Sequence, residues 1–210
     1  MIKVTLLGDS IRLMGYGPYV PDYLGKDFEV FQPTENSRYA KHTFRYLYDF
    51  RNDMAGSRII HWNNGAWDAC DLFGDGPFTS EEDYVKDMLR LADLLLSRYE
   101  KVIFATTTPY KQNHEKVFSN ERTIRYNERI VPLLKEKGVI INDLHAFVSE
   151  NIETYIRDDD KAHLTEEGSR ACAKQVAECI RRVAETLDTD SNRSDKGTIK
   201  NYEWYHEKTE

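Results

Sequence analysis

Cysteine and proline are scarce, at three and six residues in 210. The cysteines make no disulfide framework. Cys70 stands alone, and Cys172 and Cys179 are spaced to share one face of a helix as small core residues; no Cys-x-x-Cys or Cys/His ligand spacing occurs. No apolar run approaches the roughly 18 residues of a membrane span. Positive charge is in deficit, 29 Lys and Arg against 36 Asp and Glu, a net charge of -7, which argues against general nucleic-acid binding. The first residues, Met1 to Gly8, read directly as a strand and lack the basic, apolar and small-residue succession of a signal peptide. The expectation is a cytoplasmic protein in a reducing compartment, with no nucleic-acid or membrane partner. A hydrophobic fraction of 40% with nine Phe and thirteen Tyr excludes a disordered chain, and the length suits one domain with a sizeable core.

Apolar, β-rich runs recur between helical stretches: Ile2–Leu7, Phe28–Phe31, Arg58–Trp62, Val102–Thr106 and Val139–Ile141 read as strands. Thr79 followed by Glu82 forms a capping box ahead of a helix with Tyr84, Met88, Leu91 and Leu95 on one face. A second helix runs from Ile124 to Leu134 and stops before Gly138. Thr165 caps a last helix whose stripe is Cys172, Val176, Cys179, Val183 and Leu187. Strand–helix alternation with near-continuous apolar strands gives a three-layer α/β domain with a parallel sheet of about five strands. Residues 1–187 form this domain. Residues 188–210 are a polar tail whose Tyr202, Trp204 and Tyr205 either dock on the domain or a second subunit or stay loose.

In an open parallel sheet, sites form beyond the carboxyl ends of the strands. After the first strand comes Gly8-Asp9-Ser10-Ile11-Arg12, where Ser10 is either a helix cap or a nucleophile whose own N–H faces an oxyanion. After the third comes His61-Trp62-Asn63-Asn64-Gly65-Ala66-Trp67-Asp68, either a turn or a source of amide donors. Before the last helix comes Asp158-Asp159-Asp160-Lys161-Ala162-His163-Leu164-Thr165. There Asp160 can orient His163 through Nδ1 and leave Nε2 as a base, or the stretch is an acidic turn. A triple Asp is also a cation candidate, but no second carboxylate cluster supports it. His61 reads as a packed side chain.

Taken in order, these blocks resemble the SGNH hydrolases, also called the GDSL esterase/lipase family. Gly8-Asp9-Ser10 resembles the nucleophile block, with Ile11 where the namesake leucine stands, and Asp160-Lys161-Ala162-His163 with Leu164, Thr165 and Gly168 resembles the Asp/His block. Where the family carries its oxyanion glycine this chain reads Pro33-Thr34-Glu35-Asn36-Ser37-Arg38-Tyr39, so Ser37 N–H is the substitute. The Gly-x-Asn-Asp block corresponds to Gly65-Ala66-Trp67-Asp68, with Trp67 at the asparagine position. Asn63, or alternatively Asn64, then supplies the amide, as in a bacterial branch with an Asn-x-Gly-x-x-Asp version of the block. The resemblance implies a flavodoxin-like α/β/α sandwich and serine-dependent hydrolysis of small O-acyl esters, acetylated carbohydrates among them, without metal or cofactor. Its implied catalytic residues are Ser10, Asp160 and His163, and its oxyanion donors Ser10, Ser37 and Asn63. Arg12, Asn36, Trp67 and Thr107 are the candidate substrate contacts. Competing classes are a thioesterase, lysophospholipase or acyltransferase with the same triad, and a non-catalytic flavodoxin-like binding domain. A homo-oligomer stays open.

Overall fold

A computed structural model describes residues 1–111 and 117–188. Five strands, β1 (Ile2–Leu7), β2 (Phe28–Phe31), β3 (Ile59–Trp62), β4 (Lys101–Ala105) and β5 (Ile140–Asn142), form one parallel sheet in the order β2-β1-β3-β4-β5. Among the described residues eight α-helices interleave with them: α1 (Val20–Leu24), α2 (Ala40–Asp49), α3 (Ala66–Ala69), α4 (Glu81–Leu96), α5 (Asn120–Glu136), α6 (Leu144–Ser149), α7 (Ile152–Tyr155) and α8 (Glu166–Ala184). The architecture is a three-layer α/β/α sandwich.

The two-residue period of the strands sorts their side chains into two cores. Val4, Leu6, Ile59 and Ile103 face α1, α6 and α8, where Cys172, Val176, Cys179 and Val183 are buried and Leu187 packs against the edge. Leu7, Ile60, Trp62, Val102 and Phe104 face α2, α4 and α5. Because both sheet faces are covered, the strands carry apolar residues on both sides.

Caps fix where the helices begin. Thr165 Oγ1 accepts the Gly168 N–H at 3.0 Å, with Glu166 and Glu167 in the first turn of α8. The start of α4 differs from the expected Thr79/Glu82 box. Ser80 is the cap, accepting the Asp83 N–H at 3.2 Å, while the Thr79 carbonyl receives the Tyr126 hydroxyl at 2.6 Å. The helix enters one residue late because Thr79 is held across the interface by Asp68 and Tyr126. At the end of the described chain, Asp188 N–H donates to Glu100 and its carbonyl accepts from Arg58. The tail aromatics Tyr202, Trp204 and Tyr205 lie outside the described residues. Among the described residues no helix is long and apolar enough to cross a membrane.

Candidate active site

Ser10 follows β1 at the carboxyl edge of the sheet and opens a widened helical turn, Ile11–Tyr16, which breaks at Gly15. Its N–H stands in the first turn, where helical donors lack an intrahelical partner. Gly8 has to be glycine, since a Cβ there would lie 2.0 Å from Asn63 Oδ1. The turn thereby drops Asp9 inward and leaves Ser10 half-buried at the rim.

At the far end of the chain, residues 156–164 fold into a pinned loop. Ile156 and Leu164 form an antiparallel bridge, Arg157 N–H bonds the His163 carbonyl at 2.9 Å, and Thr165 N–H bonds the Tyr155 carbonyl at 2.9 Å. Lys161, at φ 57°, makes the tight turn that reverses the chain between Asp160 and His163. Asp160 Oδ1 accepts the backbone N–H groups of Ala162 and His163 at 3.0 and 2.9 Å, and Oδ2 faces His163 Nδ1 at 2.8 Å. Its partial burial alone would raise the carboxyl pKa. The two backbone donors and the imidazole outweigh that effect and hold it at about 2. His163 Nε2 lies 2.9 Å from Ser10 Oγ. Ser10, His163 and Asp160 thus form one continuous hydrogen-bonded chain, although 153 positions separate the hydroxyl from the imidazole.

The other two aspartates of the triplet are occupied otherwise. Asp158 pairs with Lys111 and Lys161 at 2.9 and 3.1 Å, and Asp159 with Arg157. Arg157 also lies 3.8 Å from Asp160 Oδ2, and among the described residues no group of three or more His, Cys, Asp or Glu could hold a metal ion.

Beneath Ser10 lies a buried polar layer that sequence reasoning missed. Asp9 Oδ1 accepts the Ile11 N–H at 2.9 Å. Its burial pushes the carboxyl pKa up against the opposing pull of hydrogen bonds from Asn63 and Ile11. Asn63 gives one amide hydrogen to Asp9, while its Oδ1 accepts the Tyr16 hydroxyl at 2.9 Å. Tyr16 thereby fixes which end of the amide faces the Ser10 loop; no motif or periodicity singles it out. His61, fully buried with its ring edge-on to Tyr16, has its pKa lowered by desolvation to about 3 and is a neutral packed side chain. Cys70 is buried and its thiol pKa raised to about 11.

Three expected roles, those of Ser37, Arg12 and Thr107, need correction. Ser37 N–H is spent on the Gly8 carbonyl at 3.1 Å, so it is not an oxyanion donor. Asn64, the alternative amide, gives one hydrogen to the Arg38 carbonyl at 3.1 Å and accepts the Thr43 hydroxyl on Oδ1 at 2.9 Å, which leaves it one amide hydrogen, as for Asn63. Arg12 is fully buried and cannot reach a substrate: it donates to the carbonyls of Pro33, Glu35 and Gly8 and so clamps the loop after β2. Thr107 is 5% exposed with its N–H on Asn127 and its hydroxyl on the Asn64 carbonyl, which leaves nothing for a ligand. Asn36, on the loop after β2, and Trp67, in α3, are half-buried.

A cleft of about 40 Å³ opens at the pair, lined by Ser10, Ile11, Met14, Gly15, Arg157, His163 and Leu164. A larger hollow of about 240 Å³ between α5 and α6 touches neither Ser10 nor His163.

Comparison with known proteins agrees with this fold. An acetyl xylan esterase superposes with a TM-score of 0.72 over 85% of this chain and 100% of its own, at 18% identity. The lipase/acylhydrolase from Enterococcus faecalis superposes with a TM-score of 0.74 over 87% of this chain and 97% of its own, at 16% identity. A GDSL esterase/lipase of Oryza sativa subsp. japonica is 28% identical over 144 residues, 60% of this chain and 53% of that protein. The chain is SGNH-hydrolase-like in fold and in sequence. It spans about half the length of that plant relative, and no family model matches it. The SGNH-like fold brings its first and last sequence blocks, Gly8-Asp9-Ser10 and Asp160 to His163, to one edge of the sheet.

Proposed function

We propose that the chain is a serine-dependent hydrolase of small O-acyl esters, with Ser10 as nucleophile, His163 as base and Asp160 as its orienting carboxylate. The observation that carries this reading is the pair of contacts at 2.9 and 2.8 Å linking Ser10, His163 and Asp160. His163 Nε2 takes the Ser10 proton as Oγ attacks the ester carbonyl. Asp160, ionised down to very acidic pH, holds Nδ1–H and stabilises the imidazolium. The Ser10 N–H and the second amide hydrogen of Asn63 stabilise the tetrahedral oxyanion. The imidazolium then returns the proton to the departing alcohol, and water repeats the sequence on the acyl-enzyme to release the acid.

The cleft supports a small acyl group. About 10–15 Å³ admits one water molecule, so a cleft of about 40 Å³ suits an acetyl group better than a long chain. The acetyl xylan esterase among the structural neighbours favours acetylated carbohydrate as the substrate class. A thioesterase, lysophospholipase or acyltransferase would use the same triad on a different acyl carrier. The three cysteines are unpaired and buried, which suits the reducing cytoplasm.

The test is hydrolysis of p-nitrophenyl acetate against its longer-chain homologues. Wild type should prefer the acetate, and Ser10→Ala should lose at least about 10³-fold in kcat. Activity undiminished in Ser10→Ala ends the assignment, and a preference for long chains ends the small-acyl reading.

A further inference from the structure

One residue of the loop after β2 is accounted for neither by the hydrogen-bonded chain at Ser10 nor by the resemblance. Arg38 has φ 49° and shares positive φ with only one other non-glycine among the described residues, Lys161. The left-handed region costs a residue with a Cβ about 1 kcal/mol or more, and glycine would occupy it freely. Its backbone is held from both sides, with the N–H on Asn36 Oδ1 at 2.8 Å and the carbonyl receiving the Asn64 amide at 3.1 Å. One position earlier, Ser37 bonds the Gly8 carbonyl. Arg38 is therefore fixed between the loop that bears Ser10 and the loop after β3.

Three arginines lie on the loops and turns next to Ser10 and His163, and their charges are differently committed. Arg12 is buried on backbone carbonyls and Arg157 is paired with Asp159. Arg38 is exposed, no ion pair or side-chain hydrogen bond engages its guanidinium among the described residues, and its charge acts on the Tyr46 hydroxyl. The nearest acid in its loop, Glu35, accepts the Tyr46 hydroxyl at 3.1 Å instead. The two sides of Ser10 also differ. The small cleft, walled by Gly15, Arg157 and Leu164, lies on the α8 side, whereas Arg38 lies just before α2 on the other. On that α2 side the Ser37–Gly8 and Asn64–Arg38 hydrogen bonds hold the Arg38 backbone beside the Ser10 loop, opposite the cleft that would seat the acyl group.

We propose that Arg38 is a specificity residue that binds an anionic group, a carboxylate or a phosphate, on the alcohol part of the ester. This rests on the ester-hydrolase reading above. A guanidinium presents a planar fork of donors matched to the paired oxygens of either anion.

The test compares three monoacetylated methyl glycosides with the same ester linkage: a neutral glucoside, its glucuronoside, and its 6-phosphate. Wild type should show kcat/KM about tenfold or more higher on at least one acidic substrate than on the neutral one. The carboxylate and phosphate arms tell the two anions apart. Arg38→Gln should collapse that ratio, Arg38→Lys should restore part of it, and 0.5 M salt should weaken it in wild type. An equal ratio in wild type and Arg38→Gln, with Ser10-dependent hydrolysis of the neutral ester intact, overturns the proposal alone. So does a ratio lost in Arg157→Gln but kept in Arg38→Gln. Failure of all three esters and of p-nitrophenyl acetate to show Ser10-dependent hydrolysis overturns both readings.

Discussion

Arg12 brings a full charge into the interior two positions after Ser10, and its bonding partners are backbone carbonyls, those of Gly8, Pro33 and Glu35. Removing it deletes three charge-assisted hydrogen bonds, although the Gly8 carbonyl keeps the Ser37 N–H, at a cost of about 1 kcal/mol or more for each bond lost. Arg12→Met should therefore destabilise the protein by about 3 kcal/mol in urea unfolding and loosen the Pro33–Arg38 segment in hydrogen exchange. A variant as stable as wild type would show that the clamp contributes nothing. The sequence placed this arginine beside the nucleophile but could not tell which way it faces, because the widened turn of Ile11–Tyr16 departs from the regular helical period that pattern reading assumes. Ser10, Asp160 and His163 were readable because their residue types, spacing and order along the chain are themselves the signal. Tyr16 was not, since its role arises only from a contact with Asn63, 47 positions away.

Among the elements, the five strands stood out because each is a short apolar run bounded by polar residues, and their ends moved by only a residue. The helices with long stripes, α4, α5 and α8, were equally plain. The four- to six-residue helices α1, α3, α6 and α7 are too short to show a period, and the aromatic-rich α2 was likewise not foreseen. Packing of α8 bears directly on the site. At Gly168 an added Cβ would meet the Tyr155 carbonyl oxygen at 2.3 Å and Tyr155 backbone carbons at 2.8 and 2.9 Å. These are backbone atoms at the root of the loop that carries Asp160 and His163, so they cannot yield without moving it. Gly168→Ala should cost about 1–3 kcal/mol from overpacking and reduce kcat more than KM rises. Wild-type melting and kcat in this variant would refute that coupling.

For the molecule as a whole, two buried groups near the carboxyl end of β3 set opposing pH dependences. Burial raises Asp68 to about 7 although both carboxylate oxygens accept the Ala40 N–H at 3.1–3.2 Å. Between pH 4 and 7 the folded state therefore holds a proton that the unfolded state releases, and stability falls as pH rises. Desolvation lowers His61 to about 3. Between pH 6.5 and 3 the unfolded state takes up a proton that the fold refuses, and stability falls as pH drops. Each one-proton difference is worth at most about 1.4 kcal/mol per pH unit, so from pH 4 to 6.5 the two largely cancel. Asp68→Asn, which keeps an acceptor for Ala40, should unmask His61: its stability should climb more steeply from pH 4.5 to 6.5 than that of wild type. Parallel curves for the two proteins would count against this pairing.

The hydroxyl at the start of the chain meets its imidazole only across 153 intervening positions, and the imidazole's loop is rooted in the final helix. During synthesis the serine thus leaves the ribosome 153 positions ahead of its imidazole, and the hydrogen bond between them forms only when α8 has been made and seated. On the proposed serine-hydrolase function, turnover becomes a report that the whole sandwich has closed.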